Sequence, residues 1–320
     1  MKNHQLRALV AVADYGSIQR AAQALHLSQP AVTKALHDLE RDVGVAVIAR
    51  TPKGAHVNEY GQSLLKHARA IEQQLRHARE EINALTGARS GRLMIGATPV
   101  ACIGPLAQAI VNFQRWKPDI DMKVLELRPS QILDALNDGT IDFGLLSRVG
   151  IPQSVSFDWE TMYEVDLTLS VRKGHPLTTA RLADLQDRSW LVWDSSEEPG
   201  NMLNEIFAHH DLPVPTRVVR CTSASLYSML LTNTDMIGCL ANTAYDFTVF
   251  GHVLHPLTLH EVLPKLSVGL VCQDHRLLTR VSTEFIDELR QICQTPHGMT
   301  PVTTIDPFDG TQAAEPQTAL

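Results

Sequence analysis

Residues 18–43, IQRAAQALHLSQPAVTKALHDLERDV, read as two short helices joined by a sharp turn, the second with a polar leading edge nearly free of acids. Ile18, Ala21, Ala22 and Leu25 share one face of a helix that follows Gly16 and a Ser17 N-cap, and Val32, Leu36, Leu39 and Val43 share one face of the next. Both faces have to be buried. Ala21 and Ala22 let the two helices cross closely, and Leu6, Leu9, Val10 and Ala13 supply a third amphipathic helix to close the core. Ser28 caps the second helix, and Pro30 falls in its first turn, where a missing N–H costs nothing. Gln29, Pro30, Thr33, Lys34 and His37 then face outward, the side that a helix-turn-helix presents to the major groove. Gln29 can bond bidentately to adenine, Pro30 or Thr33 can pack on a thymine methyl, and Lys34 suits phosphate.

Spacing alone fits an ordinary three-helix core with a solvated face equally well, and the next segment decides between the two. Residues 46–57, AVIARTPKGAHV, place two short apolar runs around a Pro-Lys-Gly turn, a wing that carries Arg50 and Lys53. Two cations at a wing tip suit phosphate or minor-groove contact.

The string AAQALHLSQPAVTKALHDLERDVGVAVIAR, followed by TPKGAHVNEYGQSLL, closely resembles the DNA-binding domain of the LysR-type transcriptional regulators. The resemblance implies that Gln29, Pro30, Thr33 and Lys34 face the groove, with Arg50 and Lys53 in the wing. Asn58-Glu59-Tyr60-Gly61 departs from the family pattern, which usually has Thr or Ser and then a small residue before the glycine; Asn58 still serves as a cap.

A long helix is expected over residues 59–85. Leu64, Ala68, Ile71, Leu75, Ala78, Ile82 and Leu85 recur at alternating spacings of four and three, a seven-residue repeat that calls for a partner helix and marks a homodimer. The opposite face, with Lys66, Arg69, Gln73, Arg76, Arg79 and Glu80, reads as too polar to be covered. Thr86 to Gly91 then break the helix as a hinge. The boundaries that follow are a winged helix-turn-helix at 1–58, a linker and dimerisation helix at 59–90, an effector-binding domain at 91–295 and a tail at 296–320.

Charge divides in the same way. The net charge of −7 separates into +4 for residues 1–90 (12 Lys and Arg against 8 Asp and Glu) and −11 for the remainder (16 against 27), so the basic part is the DNA-reading head. The chain opens without an apolar targeting run and holds no stretch of eighteen apolar residues, so a cytoplasmic protein without membrane contact is expected. Cys102, Cys221, Cys239, Cys272 and Cys293 are scattered without a CxxC pair, and neither structural zinc nor a disulfide framework is expected. A peroxide-sensing thiol pair, known for some members of the resembled family, has no counterpart between Ser195 and Asp211.

From Gly91 strands and helices alternate: strands at 92–97, 122–127 and 143–147 with helices at 103–116 and 130–137 form one parallel α/β unit. Strands at 166–171, 190–193, 217–221 and 236–240 with helices at 201–210 and 224–231 form a second, and 266–272 with the helix at 278–292 return to the first. Lobe I would then hold about 91–162 and 267–295, and lobe II about 163–266. This two-lobed α/β arrangement, with its Lys173-Gly174-His175-Pro176-Leu177 string, resembles the family's effector-binding domain, which is similar in fold to periplasmic solute-binding proteins.

Ligands of open α/β sheets sit beyond the carboxyl ends of strands, which nominates Thr98, Pro99, Val100, Arg128, Ser130, Ser147 and Arg148 from the first lobe and Ser195, Thr222 and Ser223 from the second. Hydroxyls and arginines favour a small anion, a carboxylate or an aromatic acid, with Arg128 the preferred contact. Ser and Thr after a strand are as often plain helix caps, and either arginine could serve a salt bridge instead. The Pro-rich tail after Thr295 shows no periodicity and is expected to be disordered.

Three functional classes come into question for such a chain. A ligand-responsive transcription regulator has promoter DNA, a second copy of itself, a small-molecule co-inducer and RNA polymerase as partners, and the resemblance adds a homotetramer. A small-molecule receptor without a DNA role is opposed by the N-terminal head. An enzyme would need a motif that the chain lacks: there is no GxSxG, no phosphate-cradling Gly-rich loop and no metal-spaced His pair, so no catalytic residue, metal or cofactor is assigned.

Overall fold

A computed structural model describes residues 1–51, 54–86, 91–149, 157–193, 202–247 and 250–294. The chain forms two compact units, one made of Met1–Ala88 together with Asp134–Asp142 and Leu277–Thr279, the other of the remaining residues.

In the first unit, α1 (Asn3–Tyr15), α2 (Ile18–Ala24) and α3 (Gln29–Val43) surround a core of Leu9, Val12, Ala21, Ala22, Val32, Leu36 and Leu39. The Ser17 hydroxyl accepts the Arg20 N–H at 3.1 Å and Ser28 accepts that of Ala31 at 3.3 Å, which defines both helix starts. The wing follows as β1 (Ile48–Thr51) paired antiparallel with β2 (Gly54–Val57). Glu40 fixes its approach, its Oε1 accepting the N–H groups of Val47 and Ile48 at 3.0 and 3.3 Å.

The long helix α4 (Glu59–Leu85) begins at Asn58, whose Oδ1 accepts the Gly61 N–H at 2.9 Å and whose Nδ2 donates to the Ala46 carbonyl at 2.8 Å. Asn58 therefore ties the helix to the wing. A Cβ on Gly61 would lie 2.2 Å from the Val47 carbonyl oxygen, so only glycine fits there, while Tyr60 beside it points to solvent.

On the polar face of α4, Lys66 and Arg79 are exposed as its composition suggests, but Gln73 is buried and Arg69 and Arg76 are half-buried. Arg69 is ion-paired with Asp14 and, at 2.8 Å, with Asp138; the buried Gln73 donates to the Ile141 carbonyl at 3.1 Å. His77, also buried, meets Asp142 Oδ1 at 3.0 Å through Nε2 and the Leu277 carbonyl at 3.2 Å through Nδ1. Polar side chains can be covered when each finds a partner, and here each does. Gly139 makes the close approach possible: it adopts φ +71°, and a Cβ on it would stand 2.7 Å from Gln73 Oε1.

The second unit contains β3 (Gly91–Ala97), α5 (Pro105–Trp116), β4 (Ile120–Glu126), the start of α6 (Pro129–Asn137), β5 (Phe143–Val149), β6 (Asp158–Val165), β7 (Leu167–Arg172), β8 (Thr179–Ala180) and β9 (Trp190–Val192). After these come α7 (Met202–His209), β10 (Val218–Arg220), α8 (Ala224–Asn233), β11 (Ile237–Ala241), α9 (Thr243–Phe247), α10 (Phe250–Val253), β12 (Leu254–Pro256), β13 (Thr258–Leu259), β14 (Leu266–Cys272) and α11 (Arg280–Gln294).

One sheet runs β4-β3-β5-β14-β6 and the other β10-β9-β11-β7-β12, with β8 and β13 as a separate short pair. Each sheet is mixed rather than parallel: β14 lies antiparallel to β5 and β6, and β7 antiparallel to β11 and β12. The first lobe extends to Val165, because β6 pairs with β14 along its whole length, and the chain returns to it at Leu266.

Phe285 of α11 packs edge-on against Phe113 of α5 at 5.2 Å and lies 6.0 Å from Phe143 of β5. Arg290 clamps Glu160 of β6 with two hydrogen bonds of 2.8 and 2.7 Å, and that pairing holds the carboxyl below its ordinary range. In the second lobe Trp190 sits edge-on to Phe207 at 5.4 Å and donates its indole N–H to the Leu185 carbonyl at 2.9 Å.

Replacing Gln73→Leu strands the buried Ile141 carbonyl, and Gly139→Ala places a methyl against Gln73 in a strained backbone region. Each should cost about 1–3 kcal/mol. Differential scanning calorimetry should show a lowered Tm for both; unchanged melting of both would mean that residues 134–142 are not held by α4.

Candidate functional site

The outward face of α3 is assembled by the capped start at Ser28 and by the burial of Val32, Leu36 and Leu39 on the other side. Gln29, Pro30, Lys34 and His37 are exposed and Thr33 is half-buried; their spacing sets them on one face. The first turn of α3 contains no acid; Asp38 further along is paired with Arg41 at 2.9 Å, and Glu40 is spent on the wing. Arg50 stands in β1 opposite Ala55, with its side chain outside the described residues, as Lys53 is altogether.

Of the apolar stripe on α4, Ala68 is wholly buried in the core of the head and Leu64 packs against that core. These two belong to the fold of their own chain, because α4 starts against α1 and the wing and its first turns must close that core. Further along, Ile71, Leu75 and Ile82 are 44%, 41% and 62% exposed and Ala78 is exposed as well; the Leu85 side chain is not described.

A cavity of about 880 Å³ opens inside the second unit, between the carboxyl ends of strands from both sheets. Thr98, Pro99, Val100, Arg128, Ser130, Ser147, Arg148 and Thr222 line it. Ser223 does not: its hydroxyl caps α8 by accepting the Leu226 N–H at 3.3 Å. Ser195 lies outside the described residues. Sequence reasoning missed the apolar half of the wall, Ile103, Leu146, Trp159, Trp193, Leu240 and Phe250, and the carboxylate of Glu126. Trp193 was within reach of the strand-end rule, since it directly follows β9. Trp159 was not, because the alternation of edge strand β6 is weak.

Polar groups in this wall differ in availability. The Thr98 hydroxyl donates to Ser147 Oγ at 2.8 Å and accepts the Ser147 N–H at 3.0 Å, so it is used in joining β3 to β5. Ser147 is left with its own hydroxyl proton to give. Arg128 is engaged with Gln131, Nε to Oε1 at 3.3 Å. Arg148 contrasts with it: its Nε is buried without a hydrogen-bond partner among the described residues. Of the two arginine Nε groups in this wall, that of Arg128 is engaged and that of Arg148 is not.

Two cysteines also reach the cavity. Burial, and then the charge of Glu126, pushes the Cys102 thiol up to about 11; burial pushes Cys239 up to about 12. Both are therefore thiols at neutral pH, and all five cysteines are free. No helix among the described residues is long and apolar enough to cross a membrane.

Two family models match this chain. Residues 3–62 match the model of the bacterial regulatory helix-turn-helix proteins of the lysR family, and residues 86–294 match that of the LysR substrate binding domain. The chain belongs to the LysR family: it is a DNA-binding transcription regulator with an effector-binding domain, and not an enzyme.

Among curated relatives, the transcriptional regulator GbpR of Azospirillum brasilense is 27% identical over 75% of this chain and 72% of its own. The regulator PcaQ of Agrobacterium fabrum is 31% identical over 57% of this chain and 59% of its own. Among solved structures, full-length CbnR complexed with its target DNA covers 91% of this chain and 99% of its own at 19% identity and a TM-score of 0.64. ArgP from Mycobacterium tuberculosis covers 91% and 96% at 15% identity and a TM-score of 0.69. These structural likenesses concern the fold.

The thiol chemistry gives a direct test. Alkylation of Cys102 by iodoacetamide in the native protein, followed by peptide mass analysis, should be slower than that of free cysteine at pH 8. Its rate should rise about tenfold per pH unit towards its pKa of about 11. Rapid labelling at neutral pH would contradict a half-buried, protonated thiol.

Proposed function

We propose that this regulator responds to a small organic anion with an aromatic or otherwise bulky apolar body, bound in the cavity between the two lobes. The observation that carries this reading is the unpartnered, buried Arg148 Nε in a wall that is otherwise largely apolar and includes Trp159 and Trp193. A carboxylate on Arg148 and Ser147 would receive charge-assisted hydrogen bonds, and a flat body would lie against the indoles. Glu126 on the same wall favours a ligand that also carries a hydroxyl or ammonium donor. No resident cofactor or metal is needed for this role.

On the DNA side, Gln29, Pro30, Thr33, Lys34 and His37 read promoter bases or phosphates, and Arg50 and Lys53 in the wing hold the backbone. The protein acts in the cytoplasm as a homodimer joined through Ile71, Leu75, Ala78, Ile82 and Leu85, with a homotetramer as the assembled form and RNA polymerase as a further partner. The exposed apolar stripe of α4 supports the dimer.

Thermal-shift screening against aromatic and aliphatic carboxylic acids should find a stabiliser whose apparent affinity falls about tenfold or more in Arg148→Ala. A ligand that binds the variant normally would move the anion site elsewhere. In gel shifts with the native upstream DNA, Gln29→Ala should cost about 1–3 kcal/mol of affinity at one base position, whereas Lys34→Ala should weaken all sequences alike and flatten the salt dependence. Unaltered affinity and footprint for both would remove α3 from the groove. Leu75→Glu should turn dimers into monomers in sedimentation; an intact assembly would show that α4 does not join the copies.

A further inference from the structure

The end of the β6–β14 ladder holds a set of side chains that neither DNA reading nor the effector cavity uses. Cys272 and Asp158 are direct cross-strand partners on its last rung, so their side chains lie on the same face. After Cys272 the chain passes Gln273 and Asp274 and enters a single 3-10 turn at His275–Leu277. That turn folds back onto the rung, and the His275 N–H donates to Asp158 Oδ2 at 3.1 Å. One sulfur from Cys272, one ring nitrogen from His275 and one carboxylate oxygen from Asp158 all come within 4.8 Å of one another. Cys272 is buried, His275 half-buried and Asp158 exposed, so the group is open from one side.

We propose that Asp158, Cys272 and His275 form a binding site for a divalent transition-metal ion of the zinc class. A thiolate, an imidazole and a carboxylate are the donors that borderline ions accept, and a thiolate with an imidazole discriminates against magnesium and calcium. Bonds of about 2.0–2.3 Å place tetrahedral ligands roughly 3.3–3.8 Å apart, so the three atoms have to close by at most about 1.5 Å. Rotation of the exposed Asp158 and half-buried His275 side chains can supply that movement, with a water in the fourth position. The neighbouring carboxylates have partners already, Glu160 on Arg290 at 2.7 Å and Asp274 on Arg276 at 2.7 Å. Among the described residues no hydrogen bond occupies the His275 ring or the Cys272 sulfur.

Such an ion would clip the edge strand β6 to β14 at its open end. One rung along, Trp159 pairs with Val271, and both of these line the cavity. Successive strand residues point to opposite faces, so the ion and the cavity wall would lie on the two sides of adjacent rungs. This proposal is independent of the effector's chemical class.

The test uses the full chain, stripped with chelator and titrated with cobalt(II) as the probe. One equivalent should produce a thiolate-to-cobalt charge-transfer absorption together with tetrahedral visible bands, and zinc should displace it and raise the Tm. The charge-transfer band should vanish in Cys272→Ser and persist in Cys102→Ser and Cys293→Ser. Affinity should fall by roughly tenfold or more in His275→Ala and in Asp158→Asn. Should Cys272→Ser not fold, the half-exposed His275→Ala carries the test. Absence of the band in the natural chain, its survival in Cys272→Ser, or unchanged affinity in both His275→Ala and Asp158→Asn would overturn the proposal.

Discussion

Strand β14 is the element on which the effector half of the chain depends. All seven of its residues, Leu266–Cys272, are buried, and it ladders on both sides, to β5 through six paired residues and to β6 through seven. A backbone buried on both faces must satisfy every N–H and carbonyl along its edges, and β14 can do so only where two strands of the first sheet already wait. The chain must therefore leave that sheet at Val165, build the second sheet, and return at Leu266. Two crossings follow from this one pairing. They create the cavity, because the strand ends of two separate sheets then line a common space with Thr98 and Ser147 on one side and Thr222 on the other.

The linker helix inverts the usual relation between polarity and burial. Gln73 and His77 are buried, whereas Ile71, Leu75 and Ile82 are open to solvent in the single chain. The buried pair is stable because its hydrogen bonds to Ile141, Asp142 and Leu277 are made within the same compact unit. The exposed apolar stripe has no such partners among the described residues, and the proposed dimer would cover it with a second helix. The two faces of α4 thus differ, one holding residues 134–142 and 277–279, the other carrying the exposed apolar stripe.

Much of this was legible from residues. Ser17 and Ser28 announce helix starts through a mechanism that operates within four residues, and the periodicity of Val32, Leu36 and Leu39 reports a core that the helix itself creates. What stayed hidden depends on contacts distant in sequence. Strand β6 alternates poorly because it is an edge strand, with only Tyr163 and Val165 buried. Its antiparallel pairing, and with it Trp159, could not be read from a pattern tuned to parallel units. Polarity marked Gln73 as exposed, since the carbonyl that covers it lies 68 positions away. The strand-end rule found Thr98, Arg148 and Thr222 but could not separate Ser223, whose hydroxyl is consumed by its own helix. Nor could it rank Arg148 above Arg128, a distinction that rests on Gln131 reaching the one and no described group reaching the other Nε.

That distinction bears on how a ligand could alter the protein at all. A ligand shifts a conformational equilibrium only by the difference in its affinity for the two states. An arginine whose Nε is buried and unsatisfied raises the free energy of the ligand-free arrangement, by about 1–3 kcal/mol on the scale of other stranded buried donors. An anion that supplies the missing acceptor removes this cost only in the arrangement that keeps Arg148 inside. An arrangement of the lobes that lets Arg148 reach water has no such cost to remove. On the proposed reading, the group that would receive the anion would also provide the differential affinity. A preference of roughly ten- to a hundredfold between two lobe arrangements is within reach of that single side chain.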